Sequence, residues 1–189
     1  MIGQMARFYG VTWRTSTTLG GAKTFDAQAG YESAMTLNAV LMAGANYIWH
    51  SAGWNEAGMH CSIAKFVVDA EMCAMGYRMA EGIRWDDFDE ALAAVGDIGP
   101  GGHYLGHPHT LENFQRAFFM PEMFDNNSIE QWTAEGEIEI TARALAHAKA
   151  LLADYEEPKL DEANNDALLD YIARREREIP AADALNQDH

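Results

Sequence analysis

The fold is decided by the stretch Asn46–His60, whose sequence is NYIWHSAGWNEAGMH. It begins with a short run of apolar and aromatic residues that is typical of a strand. A polar segment containing Gly53 and Gly58 follows, and a helical pattern begins at Ser62. Strand, glycine-containing loop and helix form the unit in which α/β enzymes place their chemistry, at the carboxyl end of the strand. This loop is therefore the first place to look for a functional site.

A second unit of the same kind precedes this stretch. Residues 1–9 form a helical pattern that Gly10 can end, and residues 11–15 are typical of a strand. Asp26 can cap a helix that extends to about residue 43. Its buried stripe is predicted to comprise Tyr31, Ala34, Leu37, Val40 and Leu41. The alternation of helices and strands favours a parallel sheet, and hence an α/β fold.

The helix that Ser62 can cap is predicted to end at Gly82. Helical spacing predicts that its buried stripe comprises Ile63, Phe66, Val67, Ala70, Cys73, Ala74 and Tyr77. Beyond it only helical patterns are clear, at 87–95, after Thr110, after Ser128, at 137–155 and at 161–178. Two strands cannot make a parallel sheet that is covered on both faces. Either further strands are present or the chain is part of something larger.

The composition excludes several classes of function. Thirteen basic residues against twenty-nine acidic ones give a net charge of −16, which argues against binding to nucleic acid. No apolar segment is long enough to cross a membrane, and the first residues lack the order of a signal peptide. Cys61 and Cys73 both fall in apolar helical pattern, where free thiols of a reducing compartment are expected. We therefore predict a cytoplasmic globular protein with one sizeable core.

Four collinear segments carry a family resemblance: residues 5–30 (MARFYGVTWRTSTTLGGAKTFDAQAG), 41–46 (LMAGAN), 52–54 (AGW) and 99–110 (GPGGHYLGHPHT). Together with Phe124-Asp125, Trp132 and Leu160-Asp161, they resemble the C-terminal part of the trimethylamine:corrinoid methyltransferase family. The resemblance implies a TIM (β/α)8 barrel in which a methylated amine gives its methyl group to the cobalt of a separate corrinoid protein. It further implies that residues 1–83 are the last βα units of the barrel and that 84–189 are a mainly helical extension packing on it.

The resemblance also implies cofactors and partners. The chain itself would bind no cofactor, because the corrinoid (cobalamin) is carried by a partner protein. The remaining partner is the methylated amine substrate, and we expect a homo-oligomer because a barrel cut open exposes apolar strand edges. No metal is expected. Two alternatives stay open: a catalytically silent fragment that acts only through association with other chains, and a zinc-dependent methyltransferase.

One position departs from the family pattern. The trimethylamine enzymes carry pyrrolysine in the loop between the Phe8-Tyr9-Gly10 and Ala22-Lys23 landmarks, and the matching residue here is Leu19. Leucine cannot form the covalent amine adduct proposed for pyrrolysine, so Leu19 matches the position without the function. The resemblance is therefore to the branch that lacks pyrrolysine, some of whose members demethylate quaternary amines such as glycine betaine.

A quaternary ammonium has neither a proton to donate nor a lone pair, and proteins hold it by the faces of aromatic rings. The residues predicted to bind substrate are Trp54, Trp13, Tyr104 and His103. His50, at the end of the predicted strand, and Glu56, the nearest carboxylate, are the predicted catalytic residues. The alternatives are that Trp13 and Trp49 pack between sheet and helices, that His50 is a hydrogen-bonded strand end, and that Glu56 is solvated.

Strand alternation places Asn46, Ile48 and His50 on one face and Tyr47 and Trp49 on the other. We expect the face that carries His50 to be the functional one.

The histidines at 103, 107 and 109 invite a metal interpretation. Pro108 breaks the helix that would give them ligand spacing, and no cysteine or carboxylate lies between them. A glycine-rich loop at the mouth of a substrate site is the favoured interpretation.

Overall fold

The computed structural model describes residues 1–179, of which Met1–Leu152 form one compact unit and residues 153–179 belong to another. The helices and strands follow in the order α1 Ile2–Tyr9, β1 Arg14–Ser16, α2 Ala27–Met42, β2 Tyr47–Trp49, β3 Trp54–Asn55, a 3-10 turn Glu56–Gly58, β4 His60–Cys61, α3 Ile63–Glu81, α4 Phe88–Ile98, α5 Pro108–Asn113, α6 Ile129–Ala134, α7 Ile140–Ala153 and α8 Glu162–Glu178. This is a helix-rich arrangement with few strands, consistent with an α/β class.

The strands β1 and β2 pair in parallel, as the sequence predicts, with Thr15 opposite Ile48 in the register. The first strand is shifted from the predicted 11–15 to Arg14–Ser16, which lies at the limit of what side-chain propensity can define. A second pairing was not predicted: β3 and β4 form a small antiparallel ladder within the loop that follows β2. Strands of two residues are too short to leave a periodic pattern in the sequence.

Most predicted helix starts are confirmed. Asp26 accepts a hydrogen bond from the Ala29 amide at 3.1 Å, and Ser62 accepts one from the Lys65 amide at 3.3 Å. The predicted start at Thr110 is wrong. The helix α5 begins earlier, at Pro108, because proline is preorganised for the first helical position and the His107 ring accepts a hydrogen bond from the His109 amide.

The predicted buried stripe of α3 is wrong for four of its seven residues, although Val67 packs against the core. Ile63, Phe66 and Tyr77 are 60%, 57% and 76% exposed. The buried face is instead made by Ala64, Lys65, Val68, Asp69 and Gly76. Helix α2 approaches this face closely, since a Cβ added at Gly76 would lie 3.1 Å from Cδ1 of Leu41. In α2 itself Leu37 is buried as predicted, whereas Tyr31 is exposed.

The core cluster joins α3 and α7 to the segment between α5 and α6. It contains Ala64, Val68, Met123 and Ala144, with Phe25, Val67, Phe124 and Ile140 packed against it. The Glu71 carboxylate on α3 accepts hydrogen bonds from the amides of Glu122, Met123 and Phe124. Arg143 on α7 donates to the Met123 carbonyl at 2.8 Å. One carboxylate and one guanidinium therefore fix a segment that has no regular structure of its own.

Within residues 1–179, none of the helices combines the length and the apolar character needed to span a bilayer.

Candidate functional site

A row of four rings lies along the end of β2 and the loop after it. Tyr47 and Trp49 share a face, as predicted, with ring centroids 6.1 Å apart. The His50 imidazole stacks on Trp49 at 5.3 Å with an interplanar angle of 11°, and Trp54 meets His50 edge-on at 5.7 Å. Tyr47 and Trp49 are 58% and 50% exposed. We call this row, from Tyr47 to Trp54, the ring-lined face.

His50 lies on the same side as Trp49, so the prediction that the two point to opposite faces is wrong. Strand alternation requires extended backbone, and His50 has a φ of 53° in the left-handed region. This turn brings the ring over Trp49 and sets Nδ1 3.2 Å from Oγ of Ser16. The expectation of a hydrogen-bonded residue at the strand end therefore describes His50 correctly, and its ring remains partly exposed.

Arg14 belongs to the same face, and the sequence interpretation missed it. It stands opposite Tyr47 in the parallel register, and its guanidinium carbon is 4.6 Å from the centroid of the Trp49 ring. The geometry is that of a cation–π contact. A charged residue within a short strand pattern was the signal that could have identified it. The face thus offers both aromatic surface and a positive charge.

The loop after β2 is attached to the loop after β1 by backbone hydrogen bonds. The Glu56 amide donates to the Ala22 carbonyl at 3.0 Å, and the Ala57 amide donates to the Gly20 carbonyl at 2.8 Å. The Glu56 carboxylate is half exposed and lies 3.7 Å from Nδ1 of His60. Leu19 contacts the same turn, because a Cβ added at Gly58 would lie 3.4 Å from its Cδ2 atom.

The other three predicted substrate-binding residues lie elsewhere. The Trp13 ring packs on α1, where a Cβ added at Gly3 would lie 2.8 Å from its Cζ3 atom. This is the packing role that the sequence offers as the alternative for Trp13. His103 and Tyr104 are exposed in the loop between α4 and α5. In the described part of the chain, no hydrogen bond or ring contact joins them to His50 or Trp54.

Two of the three clustered histidines, His107 and His109, have separate acidic neighbours. Nε2 of His107 lies 3.7 Å from a carboxylate oxygen of Asp97, and Nε2 of His109 lies 3.2 Å from one of Asp87. Over residues 1–179, no group of three or more histidine, cysteine or acidic side chains is arranged to hold a metal ion. Cys61 and Cys73 are free thiols.

A buried ion pair lies beneath the loops and was not predicted. Lys65 and Asp69 are 1% and 2% exposed, and Nζ of Lys65 is 2.5 Å from Oδ2 of Asp69. Burial raises the pKa of Asp69 above its ordinary value, although the hydrogen bonds from Lys65 and from the Gly53 amide lower it. A lysine and an aspartate four residues apart usually predict a solvated pair on a helix. The glycine at 76, in the interior of the same helix, was the available sign of a buried face.

A family model described as trimethylamine methyltransferase (MTTB) matches residues 1–180. The chain belongs to this family. The predicted resemblance to the trimethylamine methyltransferase family is thereby confirmed.

Named relatives are consistent with this membership. The chain is 39% identical to a glycine betaine methyltransferase of Desulfitobacterium hafniense strain Y51, over 93% of this chain and 36% of the relative. It is 27% identical to the trimethylamine methyltransferase MttB of D. hafniense strain DCB-2, over 97% of this chain and 37% of that protein. It is 28% identical to MttB2 of Methanosarcina mazei, over 85% and 32%. The chain therefore spans about a third of the length of these trimethylamine methyltransferase family members.

Proposed function

We propose that this chain supplies an amine-binding face for methyl transfer from a quaternary amine to the cobalt of a corrinoid held by a separate protein. The observation that carries the proposal is the ring-lined face, where four rings lie in a row and two of them are at least half exposed. Ring faces attract a cation that cannot form hydrogen bonds. The name of the relative from D. hafniense strain Y51 supports a quaternary amine, and Leu19 at the pyrrolysine position agrees with it.

The chain's residues would act by binding and alignment. Trp49 and Trp54 would hold and align the methylated nitrogen. The corrinoid, when bound, supplies the electron pair that accepts the methyl group. The carbon–nitrogen bond breaks, its electron pair stays on nitrogen, and the amine leaves neutral without the transfer of a proton. His50 would therefore orient the substrate, and Glu56 would add a negative charge near the cation.

Further proposals concern the larger structure. The parallel β1–β2 pair, with helices before and after each strand, supports the interpretation that residues 1–83 are βα units of a TIM barrel and 84–189 its helical extension. Large exposed apolar side chains such as Phe66 and Tyr77 support a homo-oligomer. The same exposure supports the second candidate, a catalytically silent chain that acts through association. A cytoplasmic location stays a prediction.

The reaction itself can be tested with purified protein, a reduced corrinoid protein and glycine betaine, trimethylamine or tetramethylammonium in separate mixtures. Methyl transfer changes the visible absorption of the cobalt centre. We expect the change with a quaternary amine. If no amine produces it while the amines bind, the silent candidate is favoured, and if none binds, the ring-lined face is not an amine site.

Trp54→Ala should weaken the binding of tetramethylammonium by about 2-fold to 30-fold, because one cation–π contact contributes about 0.5 to 2 kcal/mol. Isothermal titration calorimetry measures the effect directly. The matched control is Trp132→Ala, which removes an indole in α6 that is not part of the ring-lined face and whose N–H donates to the Ile138 carbonyl. Equal effects of the two substitutions would remove Trp54 from the site.

Arg14→Gln should separate two kinds of ligand. Glycine betaine carries a carboxylate that the Arg14 guanidinium can bind, and an exposed ion pair of up to about 1 kcal/mol contributes up to about fivefold in affinity. Tetramethylammonium has no carboxylate, so its binding should stay the same or strengthen once the competing cation over Trp49 is removed. Isothermal titration calorimetry measures the affinity of each ligand for the variant and for the unaltered chain. A loss of affinity for both would contradict a carboxylate-binding role for Arg14.

A further inference from the structure

We propose that Lys65 and Asp69 on α3 are positioning residues that fix the backbone from which His50 and Trp54 project. Within the described residues, their side chains make no hydrogen bond to any of the four rings. They act through the loops that follow β1 and β2. Because the ring-lined face is the proposed amine site, their importance to the reaction rests on the function proposed above, whereas their effect on loop geometry does not.

Asp69 holds the loop after β2 through Gly53. Its Oδ2 atom accepts a hydrogen bond from the Gly53 amide at 2.9 Å, in a buried position. Gly53 has a φ of 80°, and a Cβ added there would lie 2.9 Å from Cβ of Phe66. The loop backbone is thus enclosed between the helix and the carboxylate, and Trp54 is the next residue. A shift of Gly53 would carry the indole with it.

Lys65 reaches the other loop. Its Nζ atom donates to the Thr18 carbonyl at 3.4 Å, while the same ammonium group contacts Asp69. The Thr18 hydroxyl in turn donates to the His50 carbonyl at 3.0 Å. The Thr18 amide donates to the hydroxyl of Thr36 on α2 at 3.0 Å. A continuous set of hydrogen bonds therefore connects α3 to the backbone of His50.

Three residues of this network have left-handed backbone. Thr18, His50 and Gly53 have φ values of 58°, 53° and 80°, and the first two carry side chains that disfavour this region. Such conformations persist only where the surroundings hold them. The left-handed turn at His50 is what stacks its ring on Trp49. The buried pair therefore stabilises the conformation that assembles the rings.

The test uses the 189-residue chain without ligand. Lys65→Met/Asp69→Leu removes both charges together, so no single charge is left buried. We expect the imidazole nitrogen signals of His50 to shift and the cross-relaxation peaks between the His50, Trp49 and Trp54 rings to weaken in NMR spectra. Glu71→Ala is the matched control, because it perturbs the same helix on the side facing residues 122–124. It should leave these signals unchanged.

Thr18→Val is the second variant. It keeps the shape and branching of the side chain and removes only the hydroxyl that donates to the His50 carbonyl, with α3 untouched. We expect the His50 signals to shift here also. Unchanged His50 signals in Thr18→Val, or unchanged ring-to-ring peaks in the folded double variant, would overturn the proposal.

A binding measurement distinguishes the positioning role of Lys65 and Asp69 from the proposed amine-binding function. With tetramethylammonium as the probe, we expect the double variant to bind about tenfold more weakly than the unaltered chain, a loss comparable to that of one ring contact. If the unaltered chain binds no quaternary amine while the ring signals still move in the variants, the amine function fails and the positioning role stands. If binding and ring signals are the same in both proteins, the positioning role fails.

Discussion

Replacing Lys65 by methionine is expected to lower the free energy of unfolding by about 3 to 5 kcal/mol, because Asp69 would stay buried with no opposite charge beside it. Lys65 and Asp69 are both almost fully buried, so solvent cannot replace the lost ammonium. Urea unfolding followed by circular dichroism at pH 7 measures the change. This is the largest effect that we expect from any single substitution.

The matched control for Lys65 is Arg174→Met on α8. Arg174 and Glu178 have the same four-residue spacing, but both are about half exposed and lie 3.8 Å apart. Exposed pairs of this kind contribute about 0 to 1 kcal/mol. If Lys65→Met lowers the free energy of unfolding by less than about 1 kcal/mol, as the control does, the Lys65–Asp69 pair is not shielded from water. The double variant Lys65→Met/Asp69→Leu should recover only part of the loss, because it removes the unpaired charge but also the acceptor of the Gly53 amide.

The loss caused by Lys65→Met should depend on pH in a defined direction. The pKa of Asp69 is already raised by burial, and removing Lys65 raises it further. A carboxyl whose pKa is raised on folding favours the folded state below its ordinary pKa, and this contribution disappears as the pH rises through the folded value. The deficit relative to the unaltered protein at the same pH should therefore be smaller near pH 4 than at pH 7.

Replacing Glu71 by alanine should cost about 2 to 4 kcal/mol of unfolding free energy. Three amides, at Glu122, Met123 and Phe124, lose their shared acceptor, and an amide left buried without a partner costs about 1 to 3 kcal/mol. The total stays below the simple sum because water can reach Glu122, which is exposed. Urea unfolding again measures the change.

Two controls test the role of the Glu71 carboxylate. Glu71→Gln keeps one oxygen acceptor in place and should lose less than the alanine variant. Glu81→Ala removes an exposed carboxylate on the same helix that pairs with Arg78, and its effect should stay within about 1 kcal/mol. Equal losses for Glu71→Ala and Glu81→Ala would show that the contacts with residues 122–124 do not stabilise the fold.

Sequence reasoning predicted the elements whose causes are local. The caps at Asp26 and Ser62 depend on one side chain and an amide three residues later, and the parallel pairing follows from the alternation of elements. The buried face of α3 could not be found in this way. Apolar spacing favoured the face of Phe66, whereas the structure buries the face of Lys65, because the ion pair has its hydrogen-bond partners in loops more than ten residues away in the sequence.

The candidate site was likewise predicted only in part, because some of its contacts join residues that are distant in the sequence. His50 and Trp54 were chosen from their place after a strand, and the structure brings their rings together. The side of the sheet on which His50 lies was predicted wrongly, because a single left-handed residue cancels strand alternation, and a non-glycine residue gives no warning of it. Arg14 was missed because its contact with Trp49 crosses between strands.

The ring-lined face and the buried network use different side chains, so the face could change to accept other methylated amines while the network stays the same. Tyr47, Trp49 and Arg14 contribute side chains to the exposed face, and none of them is a member of the hydrogen-bonded set of Thr18, Lys65 and Asp69. Substitutions of these three side chains therefore leave every hydrogen bond of that set in place, because none of the three takes part in one. A library of variants restricted to those three positions should retain folded proteins and diversify in the amines they select.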